Sequence, residues 1–170
     1  MRPIPHFSAR VLIALAALCV IALLHVDQRR AQAGVLETLR DRVVSQLVEA
    51  SRQYAAAFAH DEAIATIHLA LLLDPDNPQL YIERGQRLLL LYEWDRALAD
   101  FNSAITLDPD FADAYYYRGL LYASVPEGDT ARALALADFH AYLNRTPNGA
   151  RADAARRYVV QLEAQLETRG

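Results

Sequence analysis

The stretch Arg84–Asp110, RGQRLLLLYEWDRALADFNSAITLDPD, and the stretch Arg118–Pro147, RGLLYASVPEGDTARALALADFHAYLNRTP, open on the same Arg-Gly dipeptide, at positions 84 and 118. An upstream copy falls into the same register: Ser51, Ala63, Ala70 and Pro75 precede Gly85, Ala97, Ala104 and Pro109 by that same interval. In the third copy Ala135, Phe139, Tyr142 and Pro147 follow Ala97, Phe101, Ala104 and Pro109 by 38 rather than 34, so four residues are inserted between Tyr122 and Ala135. The segment SVPEGD, with Pro126 and Gly128, is turn chemistry, and it places the insert in a connection rather than inside a helix.

A period in this range marks stacked supersecondary units. Small residues at Ser51, Gly85 and Gly119, and again at Ala63, Ala97 and Ala135, let helix axes approach within about 8–10 Å. Asn77-Pro78 reads as an N-cap with proline at the first helical position. Pro75, Pro109 and Pro147 lack the N–H that a continuing helix needs. Six helices in antiparallel pairs are expected over residues 35–147.

The pattern resembles the tetratricopeptide repeat family, whose unit is a 34-residue helix-turn-helix with a proline after the second helix. Tyr81, Gly85, Ala97, Phe101, Ala104 and Pro109 occupy the signature positions in the second unit, and Tyr115, Gly119, Tyr122, Ala135, Phe139 and Pro147 in the third. The first unit is the most degenerate and matches by class at Leu47, Ser51, Tyr54, Ala63, Ile67, Ala70 and Pro75. Phe58 and Tyr92 stand where the turn often carries glycine. The expected fold is all-α: three tetratricopeptide repeats (about 44–77, 78–111 and 112–149), a carboxyl-terminal capping helix over 150–170, and an amino-terminal hydrophobic helix. Ala154, Ala155, Tyr158, Val159, Leu162 and Leu166 form the apolar stripe of that cap.

Outside the repeats, fourteen uninterrupted apolar residues run from Val11 to Leu24 behind Arg2 and Arg10. The expectation is a basic flank over 1–10, a transmembrane or signal-anchor helix over 11–26 and a tether over 27–34. Ala31-Gln32-Ala33 before Gly34 also fits a cleaved export signal. Arg29, Arg30, Arg40 and Arg42 beyond the run favour a cytoplasmic repeat region, whereas the signal-like layout favours an extracytoplasmic, periplasmic one, which is the expectation adopted. The lone Cys19, inside this run, excludes a disulfide framework or a cysteine zinc site.

No catalytic, cofactor or metal motif is visible. His60 and His68 are eight residues apart, about two helical turns, and not at the three- or four-residue spacing of a helical metal pair. Asp74, Asp76, Asp108 and Asp110 recur in the DPD turns and read as capping groups. From position 35 onward 13 Arg face 20 acidic residues, a net of −7, which weighs against nucleic acid.

The resemblance implies protein binding, with the first helix of each unit lining a concave groove. By register the groove residues are Val48, Arg52, Ile82, Gln86, Leu89, Leu90, Tyr116 and Leu120, a mostly apolar set suited to a partner's helix or extended segment. Chaperone-binding members clamp a partner's terminal carboxylate with lysine, asparagine and arginine, and this chain has no Lys. The expected role is a membrane-anchored interaction module, an accessory or assembly subunit of a larger membrane complex. The alternative is a secreted adaptor that delivers substrates to an enzyme such as a protease.

Overall fold

The computed structural model describes residues 9–125 and 128–168, with side chains from Ala33 onward. Among the described residues seven helices follow in order: α1 (Ala9–Ala56), α2 (His60–Leu73), α3 (Pro78–Leu90), α4 (Trp94–Leu107), α5 (Ala112–Ser124), α6 (Asp129–Arg145) and α7 (Ala152–Glu167). Two compact units divide the chain, Met1–Arg42 and Val43–Gly170.

In the first unit the described side chains belong to α1. Residues 27–34, expected as a tether, are helical. Val35, Leu36 and Leu39 are exposed, and Arg40 pairs with Asp41 at 3.0 Å. The expectation of a single-pass membrane protein is corrected here: among the described residues no helix is long and apolar enough to cross a membrane. From Ala33 on, α1 carries Glu37, Arg40, Asp41, Arg42, Glu49 and Arg52, a charge density that a bilayer core does not accommodate. The run at 11–26, on which that expectation rested, lies outside the residues whose side chains are described, as do the basic flank at 1–10 and most of the tether.

The second unit is a helical-repeat solenoid: the end of α1 with α2, α3 with α4, α5 with α6, and α7 closing the carboxyl end. The ends of these helices follow from local chemistry. Asn77 caps α3 by accepting from the Gln79 N–H at 3.1 Å, with Pro78 at the first helical position. Tyr81 and Tyr115 each donate a hydroxyl hydrogen bond of 2.9 Å to the carbonyl of the turn proline before their helix, Pro75 and Pro109. The inserted turn lies between α5 and α6; its Pro126 and Glu127 are outside the described residues, and Gly128 takes φ +139, which suits glycine.

Three apolar clusters stack along the unit. Val44, Ile67, Ala70, Leu71 and Leu80 form the first. Ile82, Leu88, Ala97, Phe101, Ala104, Ala114 and Leu121 form the second. The third joins Tyr116, Ala135, Phe139 and Tyr142 to Ala155, Val159 and Leu162 of α7, so the stripe read from the sequence caps the stack. The small residues sit where crossing helices demand them. A Cβ on Gly85 would lie 2.5 Å from the Phe101 ring, and one on Gly119 3.3 Å from Phe139. Ser51, at the equivalent point of the first pair, uses its hydroxyl to donate to the Ala63 carbonyl at 2.9 Å.

Candidate functional site

Leu89 and Leu90, at the end of α3, line a cavity of about 790 Å³ together with Tyr92, Trp94, Ser124 and Val125. Its walls come from the α3–α4 turn and from the end of α5. Leu90 is 59% exposed and Tyr92 73%. Tyr92 also takes φ +60, a left-handed conformation that costs a non-glycine residue about 1–2 kcal/mol. Its ring meets Trp94 edge-on at 5.5 Å. An apolar, solvent-open cleft with a strained aromatic at its rim is thus built at one end of α3.

The remaining groove residues divide by burial. Ile82, at 1% exposure, belongs to the second core cluster, and Tyr116, at 8%, to the third. Val48 and Leu120 are half-buried and pack against the first and third clusters. Gln86 is half-buried, and Arg52 is exposed.

Arg52 is already engaged. Its guanidinium donates to the Glu83 carboxylate at 2.7 Å, and Glu83 also accepts from Gln79 at 3.3 Å and lies 3.7 Å from Arg87. The hydrogen bond to Glu83, then the charge of Glu83, hold the Arg52 pKa above its ordinary value. Further along, Arg151 reaches from the lead-in of α7 to Asp113 at 2.9 and 3.0 Å and to the Tyr117 hydroxyl at 2.7 Å. Burial opposes the Arg151 charge, but Tyr117 and Asp113 outweigh it and raise its pKa. Both arginines are thereby neutralised by the chain's own carboxylates, and a partner's carboxylate would have to displace Glu83 or Asp113.

A second polar network, absent from the sequence reading, repeats with the units. Arg84 grips Asp100 through two bonds of 2.8 and 2.7 Å, and Arg118 grips Asp138 through two of 2.8 Å. In each case the hydrogen bond to the aspartate is the largest cause of an arginine pKa above the ordinary value. The signal was the recurrence of Ala-Asp-Phe at 99–101 and 137–139 behind Arg-Gly at 84 and 118. His60, His68 and His140 do not converge, and no group of three or more metal-ligating side chains occurs among the described residues.

The repeat reading is supported from outside the chain. A family model described as TPR repeat matches residues 90–125. No curated protein matches. Among solved structures, the first TPR of Spaghetti (RPAP3) bound to the HSP90 peptide SRMEEVD is 26% identical, with a TM-score of 0.62 over 72% of this chain and 94% of that one. The Sgt2 TPR domain from Aspergillus fumigatus is 21% identical, with a TM-score of 0.66 over 75% of this chain and 82% of that one. The Yersinia enterocolitica type III secretion chaperone SycD, in complex with a peptide of the translocator YopD, is 9% identical, with a TM-score of 0.65 over 73% of this chain and 95% of that one. Residues 90–125 match the TPR repeat model, and the fold of the stacked helix pairs is the all-α solenoid of these structures.

Proposed function

We propose that the chain is a protein–protein interaction module that holds a partner's helix or extended segment along the first helices of its repeats. The apolar cleft at Leu89, Leu90, Tyr92 and Trp94 is the anchor, flanked by Val48, Arg52, Gln86 and Leu120. The observation that carries this reading is that exposed, strained Tyr92 and exposed Leu90 border one cavity of about 790 Å³. Strain of this kind persists at ligand clamps. Two structural neighbours are described as complexes with peptides, which supports the same use of this fold. The mode differs from capture of an acidic peptide by Arg52 or Arg151, because Glu83 and Asp113 already occupy those guanidinium groups. Holding a segment of another protein suits an accessory or assembly role.

The test is photocrosslinking from a benzoylphenylalanine placed at Leu90, with and without Tyr92→Asp. A defined crosslinked protein whose yield falls about tenfold in Tyr92→Asp is expected, since losing an aromatic anchor removes at least about 1.4 kcal/mol. Helical circular dichroism should be unchanged, because both side chains are exposed. Undiminished crosslinking in the Tyr92→Asp chain would defeat the reading.

A further inference from the structure

α2 is apolar on the face it turns away from the core as well as on the face it buries. Ala63, Ile67, Ala70 and Leu71 are buried, while Leu69 is 52% exposed, Leu72 68%, and Leu73 is exposed beside them. The same register points in the following second helices are Ser103, Thr106 and Leu107 on α4, then Ala141, Asn144 and Arg145 on α6. Those helices pack into the solenoid without a leucine trio, so packing does not demand one on α2. With Ala65 the three leucines fall at i, i+4, i+7 and i+8, a single stripe along the helix. A contiguous apolar patch of this kind marks an interaction site.

Both ends of the stripe are acidic. Between Arg52 and Arg84 the chain has no lysine or arginine, but it has Asp61, Glu62, Asp74, Asp76 and Glu83. Glu83 is buried beside Arg52, and Asp61 lines a small cavity together with Arg84 and Arg96. That leaves exposed Glu62, one turn before Ala65, and Asp74 and Asp76, just after Leu73. Asp74 accepts from Asn77 at 2.8 Å, yet none of these three carboxylates has an ion pair among the described residues. Along the helix axis Glu62 and Asp74 stand about 18 Å apart.

We propose that the outer face of α2 docks a cationic amphipathic helix of a partner protein, its apolar stripe against Leu69, Leu72 and Leu73 and its lysines or arginines against Glu62, Asp74 and Asp76. Apolar residues three and four apart form a seam that a facing helix fills with its own side chains. The leucines supply the affinity, and the carboxylates at the two ends choose the partner by charge. A second copy of the chain meets itself poorly here. Packing α2 on α2 sets Glu62 against Glu62 if the helices run parallel and against Asp74 or Asp76 if they run antiparallel, like charges in either case. An acidic partner helix is repelled in the same way. No residue of α2 lines the cleft at the end of α3, so this face is a second surface and does not rest on the reading of that cleft.

The experiment titrates the full chain into three fluorescein-labelled synthetic peptides of the length of α2, 14 residues, and follows anisotropy. The first has leucine at i, i+4, i+7 and i+8 and lysine at both ends. The second keeps the leucines and has glutamate at both ends, and the third scrambles the first so that no apolar stripe forms. Saturable binding of the first peptide alone is expected. Leu69→Ser with Leu72→Thr, the residues α4 carries at these points, should weaken it at least tenfold with unchanged helical circular dichroism. Glu62→Gln with Asp76→Asn should weaken it about threefold and flatten its salt dependence. Leu90→Asp should leave binding unchanged, so a failed cleft and a failed α2 face are told apart. Either control peptide binding as tightly as the first, no binding of the first, or full affinity in the leucine variant would overturn the proposal. So would a wild-type dimer in sedimentation that the leucine variant dissolves, because the face would then belong to a second copy.

Discussion

The first repeat and the two that follow solve the same packing problem with different chemistry. In the second and third, an arginine on the first helix grips a buried aspartate on its own second helix and reaches back to the preceding second helix: Arg84 to His68 at 3.2 Å and Arg118 to Asn102 at 2.7 Å. In the first repeat the same positions hold Ala50 and Thr66. Among the described residues no second helix precedes position 50 to complete the bonding of an arginine there, and an incompletely bonded buried charge is costly. The polar pair therefore belongs to repeats that have a predecessor. It binds neighbouring repeats together as much as it closes one.

Removing one half of the pair gives the largest expected effect. Asp100→Ala leaves Arg84, whose side chain is 19% exposed, without its bidentate partner, and should destabilise the chain by about 3 kcal/mol in urea unfolding. Importing the first repeat's solution, Arg84→Ala with Asp100→Thr, should cost less than Asp100→Ala alone, since no buried charge is stranded. A double variant as unstable as the single one would break the comparison. The effect should be flat across neutral pH. The raised Arg84 pKa means its contribution is complete below the unfolded value and is lost only as pH climbs through the folded one, far into alkali.

The helix pairs were legible because the demand for small residues repeats with the unit: Ala63, Ala97 and Ala135 are all fully buried. The groove was only partly legible. Register alone puts Ile82 and Tyr116 on the same helix face as Gln86 and Leu120, but it does not say how closely the next first helix approaches. In the structure Ile82 packs with Leu88 and Phe101, and Tyr116 packs against Phe139 and Tyr142 of α6, with the Arg151 guanidinium 5.7 Å from its ring. The main cleft escaped the reading because Trp94, Ser124 and Val125 join Leu89 and Leu90 only through folding across two repeats.

The helix crossings give the next largest effect and sharpen the contrast between repeats. Gly85→Ala places a methyl 2.5 Å from the ring of fully buried Phe101, and overpacking of this kind costs about 1–3 kcal/mol. Gly119→Ala meets Phe139 at 3.3 Å and should cost less. The first repeat already accommodates a side chain at this point. Ser51→Ala should cost about 1 kcal/mol for the bond to Ala63 rather than for crowding. Equal penalties at Gly85 and Gly119 in the same unfolding assay would mean that the Phe101 contact relaxes freely.

The smallest effect separates two turns that look alike. Phe58 and Tyr92 occupy the same place in successive repeats, both at φ +60 and both strongly exposed. Glycine at either site relieves about 1–2 kcal/mol of left-handed strain but adds about 0.5–1 kcal/mol of unfolded-chain entropy. Phe58→Gly gives up only the looser edge-on contact with His60 at 6.4 Å and should therefore stabilise the chain by up to about 0.5 kcal/mol. Tyr92→Gly also gives up the ring contact with Trp94, worth about 0.5–1.5 kcal/mol, so its net change should lie near zero. The two should part further in binding: crosslinking from position 90 should survive Phe58→Gly and be lost in Tyr92→Gly. If both glycine variants gain the same stability and keep the same crosslink, the strain at Tyr92 serves neither packing nor partner. The two turns would then be equivalent, and the cleft between α3 and α5 would lose its claim to be the anchor.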